Sequence, residues 1–160
     1  MDEKALILKF WKREGPATQN VISRIPQDRS DYKPEPRSRN AREIAWLIVR
    51  EEIILGDGLE KGVIEWVDVP TPASVKEIVD TYNHHHDDVT RKLESLSAAQ
   101  WERQVPFTFG GREVMKETGY EHVWGFLLDI IHHRGQLSTY LRPMGAKVPS
   151  IYGPSADEQM

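Results

Sequence analysis

Asp129 and His133 stand four residues apart in Trp124-Gly125-Phe126-Leu127-Leu128-Asp129-Ile130-Ile131-His132-His133, a stretch whose apolar residues recur at helical spacing. On a helix that separation puts both side chains on one face, one turn apart. A carboxylate and an imidazole so placed can hold one metal ion together. His132 turns about 100° away from His133, which suits a supporting or surface role. His122 shares the face of the pair but lies ~10 Å back along the axis. It can line the mouth of the same pocket, or serve as a satisfied buried histidine, without sharing the ion.

The chain has no cysteine, so disulfides and thiolate ligands are excluded and any metal must rest on His, Asp, Glu or water. No Ser or Thr stands in a nucleophile–base arrangement. Gly56-Asp57-Gly58 lacks the lysine and the spacing of a phosphate-binding loop. A further ligand has to come from another helix, and two sources are open. Glu51 is a carboxylate on an otherwise apolar stripe. His84-His85-His86 fills the gap between Tyr82 and Val89, with His85 and His86 flanking the stripe and His84 pointing away.

Helical periodicity predicts four elements to carry these residues. The first spans residues 3–25, with a kink or break at Gly15-Pro16. After a proline-rich loop, Asn40 caps a second helix from Ala41 to about Leu55, with Glu43 completing a capping box. Its inward face is Ile44, Leu47, Ile48, Glu51, Ile54 and Leu55. Val63 to Val67 reads as extended or a short turn. Ser74 caps a third helix running to about Leu96, with Glu77 three residues on. Residues 97–112 form a connection whose Pro106-Phe107-Thr108-Phe109 reads as loop or short strand. The last helix is expected from near Arg112 to Leu141, ended by Pro143 and Gly145. From Met144 a tail packs across the bundle end through Ile151 and Tyr152. Arg134 and Arg142 are expected in salt bridges. The fold class is therefore all-α, a four-helix bundle.

A chain of 160 residues is one domain by size. Hydrophobic residues make up 39% and charged residues 29%, a globular balance rather than a disordered or membrane one. No apolar run approaches the ~20 residues of a transmembrane helix. Met1-Asp2-Glu3-Lys4 does not read as a signal peptide, so the expected compartment is the cytoplasm and no membrane partner is expected. The net charge of −4 gives no general drive toward nucleic acid. Lys33, Arg37, Arg39 and Arg42 are interleaved with prolines and acids, as in a solvated loop.

The closing segment carries a resemblance as well. His133-Arg134-Gly135-Gln136-Leu137, then Leu141-Arg142-Pro143, then Val148-Pro149-Ser150-Ile151-Tyr152-Gly153 resembles the end of DinB/YfiT-like proteins. The similarity is strongest over residues 120–157 and legible around Ala41–Glu52. It implies a four-helix bundle with a long crossover connection, and a divalent metal (Zn, Ni, Fe or Mn) in the core. In that family one histidine from helix two joins two ligands four apart on helix four. His133 matches the last ligand, and Asp129 stands where most relatives have histidine. Ala45-Trp46-Leu47 places Leu47, which cannot ligate, at the helix-two position. The resemblance thus implies Asp129 and His133 as ligands; the third then falls to Glu51, or to His85 or His86 of helix three, with helix three preferred and His86 the first choice there. Leu47, His85 and His122 would line the pocket. The activity implied is that of a metal-dependent enzyme, a hydrolase or thiol-dependent transferase acting on a small molecule. The alternative is a catalytically degenerate scaffold that binds a ligand or partner. A homodimer is expected, with Phe10 and Trp11 offered by the first helix.

Overall fold

Helix boundaries follow from side chains that satisfy the orphan backbone N–H groups of each first turn. The computed structural model describes residues 2–159. Asp2 accepts from Ala5 N–H at 2.7 Å and opens α1, Glu3–Ile22. Asn40 and Glu43 exchange two 2.8 Å hydrogen bonds and open α2, Ala41–Lys61. Ser74 caps α3, Val75–Ser95. Ser97 with Gln100 opens the short α4, Ala98–Glu102, and Thr118 with Glu121 opens α5, Gly119–Leu141.

The first two helices differ from expectation. Pro16 does not break α1, because Ile7 and Trp11 before it and Val21 and Ile22 after it are all buried. Tertiary packing on both sides outweighs one lost backbone bond. Helix α2 runs past Leu55 to Lys61, since Gly56 and Gly58 are packing residues rather than punctuation. A Cβ on Gly56 would come within 2.9 Å of Val89, and one on Gly58 within 2.5 Å of Ile64. The helix ends where Gly62 takes the left-handed conformation, φ +91°.

Helix α1 packs along α3 and α5, and α2 also packs along α3 and α5. The consecutive helices α1 and α2 therefore occupy opposite corners of a four-helix bundle, and residues 23–40 cross between them. Ile7, Trp11, Ile48, Leu55, Ile78, Tyr82, Leu93 and Leu137 fill its interior. Trp11 is 1% exposed and donates from Nε1 to Thr90, and Phe10 is half-buried. The first helix thus does not offer that aromatic pair as a free face. No described helix is long and apolar enough to cross a membrane.

The bundle is not all-α. Strands β1 (Ile64–Trp66), β2 (Gln104–Phe109) and β3 (Arg112–Thr118) form a sheet in the order β1-β2-β3. β1 pairs parallel to β2 through Ile64↔Phe107, and β2 pairs antiparallel to β3 through Phe107↔Met115 and Val105↔Glu117. Gly110 and Gly111, φ +56° and +76°, make the hairpin turn, a pair of positive φ values that glycine adopts freely. The segment expected to start the last helix is therefore β3. Glu113, Met115, Lys116 and Glu117 are good helix formers, but pairing with β2 overrides them. Helix α5 starts only at Gly119, where a Cβ would sit 2.9 Å from the Trp101 carbonyl.

Candidate metal centre

Glu51 of α2 and Asp129 and His133 of α5 converge where those two helices pack, with one ligand atom of each within 4.8 Å of the others. His133 Nε2 lies 3.6 Å from Glu51 Oε1 and 3.5 Å from Asp129 Oδ1. Donors bound tetrahedrally at ~2.1 Å from one ion lie about 3.4 Å apart, so these spacings fit a single small cation. His133 Nδ1 is 3.0 Å from Gln136 Oε1. An amide oxygen only accepts, so Nδ1 carries a proton, and in the neutral ring Nε2 then presents its lone pair toward Glu51 and Asp129.

Glu51 is 4% exposed, and its Oε2 has no hydrogen-bond partner among the described residues. Burial first, and the Asp129 carboxylate next, push its carboxyl up to about 9. Two carboxyl groups and an imidazole crowd together, and at neutral pH the raised Glu51 carboxyl holds its proton in the absence of a cation. The three groups are a donor set suited to a divalent cation. The α5 stretch places Asp129 and His133 by helical period. Glu51 lies inward because Ile44, Ile48 and Leu55 on the same stripe are buried.

A cavity of about 550 Å³ adjoins the cluster, roofed by the sheet and floored by α5. Glu51, Asp129, His122 and His132 line it from the helices; Trp66, Phe107, Met115 and Glu117 line it from the strands. His122 lines this pocket as expected, and its Nε2 donates at 2.7 Å to the Val105 carbonyl. Leu47 and His85 do not line it. Leu47 is half-buried one turn before Glu51. His85 sits on α3 beside Asp57, Asp88 and Lys92, where burial and His84 lower its basicity. The sheet residues escape a helical reading altogether. The one signal for them was Gly110-Gly111 between two alternating segments, a hairpin cue.

His86 does not join Asp129 and His133. Its Nδ1 is 3.0 Å from Glu52 Oε2, and its ring stacks between Trp11 and Tyr82 at 5.6 and 5.5 Å. Gly15 makes room: a Cβ there would lie 2.1 Å from His86 Nε2. Neighbouring positions on α2 diverge by ~100°. Glu51 therefore faces α5 while Glu52 faces α3, and each acid has its own histidine. Arg134 is likewise occupied elsewhere. It is 1% exposed and its Nη2 lies 2.8 Å from Glu14 Oε2 of α1. Tyr152 of the tail donates to the same carboxylate at 2.6 Å and accepts from Arg134. Arg142 pairs with Asp157 of the tail at 2.9 Å.

The family model described as the DinB family matches residues 1–160. YrdA of Bacillus subtilis, described as an uncharacterized protein, is 29% identical over 161 residues, covering 94% of this chain and 89% of that one. The crystal structure of a DinB-like protein from Bacillus cereus superposes with a TM-score of 0.75 at 23% identity, covering 91% of this chain and 95% of that one. The DinB-like YjoA of B. subtilis gives 0.71 at 19%, with 97% and 99% covered. YfiT of B. subtilis, described as a probable metal-dependent hydrolase with an unusual four-helix bundle topology, gives 0.73 at 12%, with 90% and 89% covered.

Proposed function

We propose, for a chain that belongs to the DinB family, that Glu51, Asp129 and His133 bind one divalent cation and that the adjoining pocket presents a small molecule to it for hydrolysis. The observation that carries the reading is Glu51 Oε2, a buried carboxylate oxygen without a partner beside a second carboxylate. In a bundle that merely packs, such a group costs stability and returns nothing. The description of YfiT as a probable metal-dependent hydrolase lends support through the shared fold. Three protein ligands leave positions open, the pattern of a reactive rather than a structural site.

A divalent ion supplies such a site with Lewis acidity and a means of activating water at neutral pH. The chain supplies orientation and proton handling. Gln136 fixes the His133 ring, Glu51 and Asp129 set the charge, and Trp66, Phe107 and Met115 give the pocket an apolar wall on the sheet side. His132 lines the same pocket without belonging to the cluster. Titrating tag-free protein with Zn²⁺, Mn²⁺ and Ni²⁺ by calorimetry tests the reading. One ion per chain is expected, lost in Asp129→Ala and in His133→Ala. No saturable binding of any of the three would reduce the family fold here to a ligand-binding scaffold.

A further inference from the structure

The end of the pocket away from the cluster carries its own chemistry. His122 is 1% exposed. Its Nε2 donates to the Val105 carbonyl, so in the neutral ring Nδ1 is left as an acceptor. Glu117 Oε2 lies 3.9 Å from Nδ1, beyond hydrogen-bond length. Two acceptors, one almost fully buried, thus face the pocket with no donor between them. Register explains the pairing. Met115 and Glu117 project to one face of β3 and line the pocket, while the intervening Lys116 projects to the other and does not. No lysine or arginine lines the pocket. Phe107 and Phe126 meet edge to face at 6.0 Å beside His122.

We propose that Glu117 and His122 form a recognition subsite for the protonated amine of a small aromatic ligand, whose ring lies against Phe107 and Phe126. An ammonium group between the two acceptors satisfies both, and the aromatic faces favour a cation over an anion. With a divalent ion held at the cluster, the charges of Glu51 and Asp129 are offset and Glu117 remains the net charge of the pocket. The substrate class is then a small aromatic amine, and carboxylate or phosphate esters of similar size are disfavoured. The inference rests on the proposed function only in placing the ligand's reactive end at the cluster.

The test compares three probes that share a phenethyl-type body: phenethylamine, phenethyl alcohol and hydrocinnamate. Binding is read by tryptophan fluorescence and amide chemical shifts, first in chelator and then in zinc-loaded protein. In chelator the amine is expected to bind about tenfold tighter than the alcohol, with hydrocinnamate weakest. Glu117→Gln should erase the amine's advantage and leave the alcohol unchanged; Glu117 is 38% exposed on an edge strand, so the fold tolerates the change. Equal binding of amine and alcohol, or an advantage that survives Glu117→Gln, overturns the subsite. Zinc binding is measured separately. A preference without zinc binding leaves the subsite standing and removes the metal centre, and zinc binding without a preference does the reverse.

Discussion

Replacing Glu51 with glutamine should move the metal-free and the metal-loaded protein in opposite directions. The carboxyl is buried, one oxygen lacks a partner and Asp129 adjoins it, so its pKa stands at about 9 against an ordinary 4.5. A folded-state pKa above the unfolded one means stability is fully present below about pH 4.5 and is lost as pH rises toward about 9. At pH 7, folding the metal-free chain must place a proton on Glu51, at a cost of roughly 3 kcal/mol from ~1.4 kcal/mol per pH unit. At pH 5 the cost is below about 1 kcal/mol by the same slope.

Glutamine keeps the shape and carries no such cost. In chelator, Glu51→Gln should therefore exceed the parent protein by about 1–3 kcal/mol at pH 7, after allowing for its own unpartnered amide. The gain should shrink by roughly 2–3 kcal/mol on going to pH 5. With metal at a hundred times its Kd, the parent should gain about 2.7 kcal/mol and the variant little. Urea unfolding followed by far-ultraviolet circular dichroism, at both pH values with and without metal, gives all four numbers. A variant less stable than its parent in chelator at pH 7, or a difference that ignores pH, refutes the reasoning.

Gln136→Leu removes the acceptor that fixes the His133 ring, and calorimetry should show metal affinity down about 10-fold with the fold intact. Glu14→Ala leaves Arg134 charged, buried and unpaired, and should cost about 3–5 kcal/mol in urea unfolding. Burial raises the Glu14 carboxyl, but hydrogen bonds from Tyr152, Arg13 and Arg134 outweigh it and hold the group below its ordinary value. Its contribution is therefore present above about pH 4.5 and lost as pH falls below that, so the Glu14→Gln deficit should narrow in acid. Gly15→Ala forces a Cβ into the His86 ring and should cost about 1–3 kcal/mol in thermal melts; Gly125→Ala, with nothing within 4 Å, should be neutral or stabilising.

The second and third helices were legible because each carries its own start signal. Asn40 with Glu43, and Ser74 ahead of Glu77, are local chemistry that the chain realises without help from the fold. The Asp129–His133 pairing was legible for the same reason, since the helical period alone sets it. Which residue completes the cluster was not. Glu51 and His86 both flank an apolar stripe, and only the arrangement of helices decides that α5 meets the Glu51 side of α2 and α3 the Glu52 side. Strand β3 was hidden because its side chains favour helix in isolation and its partner lies across a turn. Glu117 was hidden with it.

Helix α5 reconciles these demands by serving three neighbours at once. His133 turns toward Glu51 of α2, Arg134 one residue later turns to Glu14 of α1, and His122, Asp129 and His132 open toward the sheet. The His133-Arg134-Gly135-Gln136 run is thus not one functional unit. His133 and Gln136 belong to the proposed metal centre, while Arg134 locks α1 and the tail to the bundle through Glu14 and Tyr152. Substitutions at Arg134 should therefore appear in stability, and those at Gln136 in metal affinity. A motif read as a block from the sequence separates into two independent physical roles one-third of a turn apart.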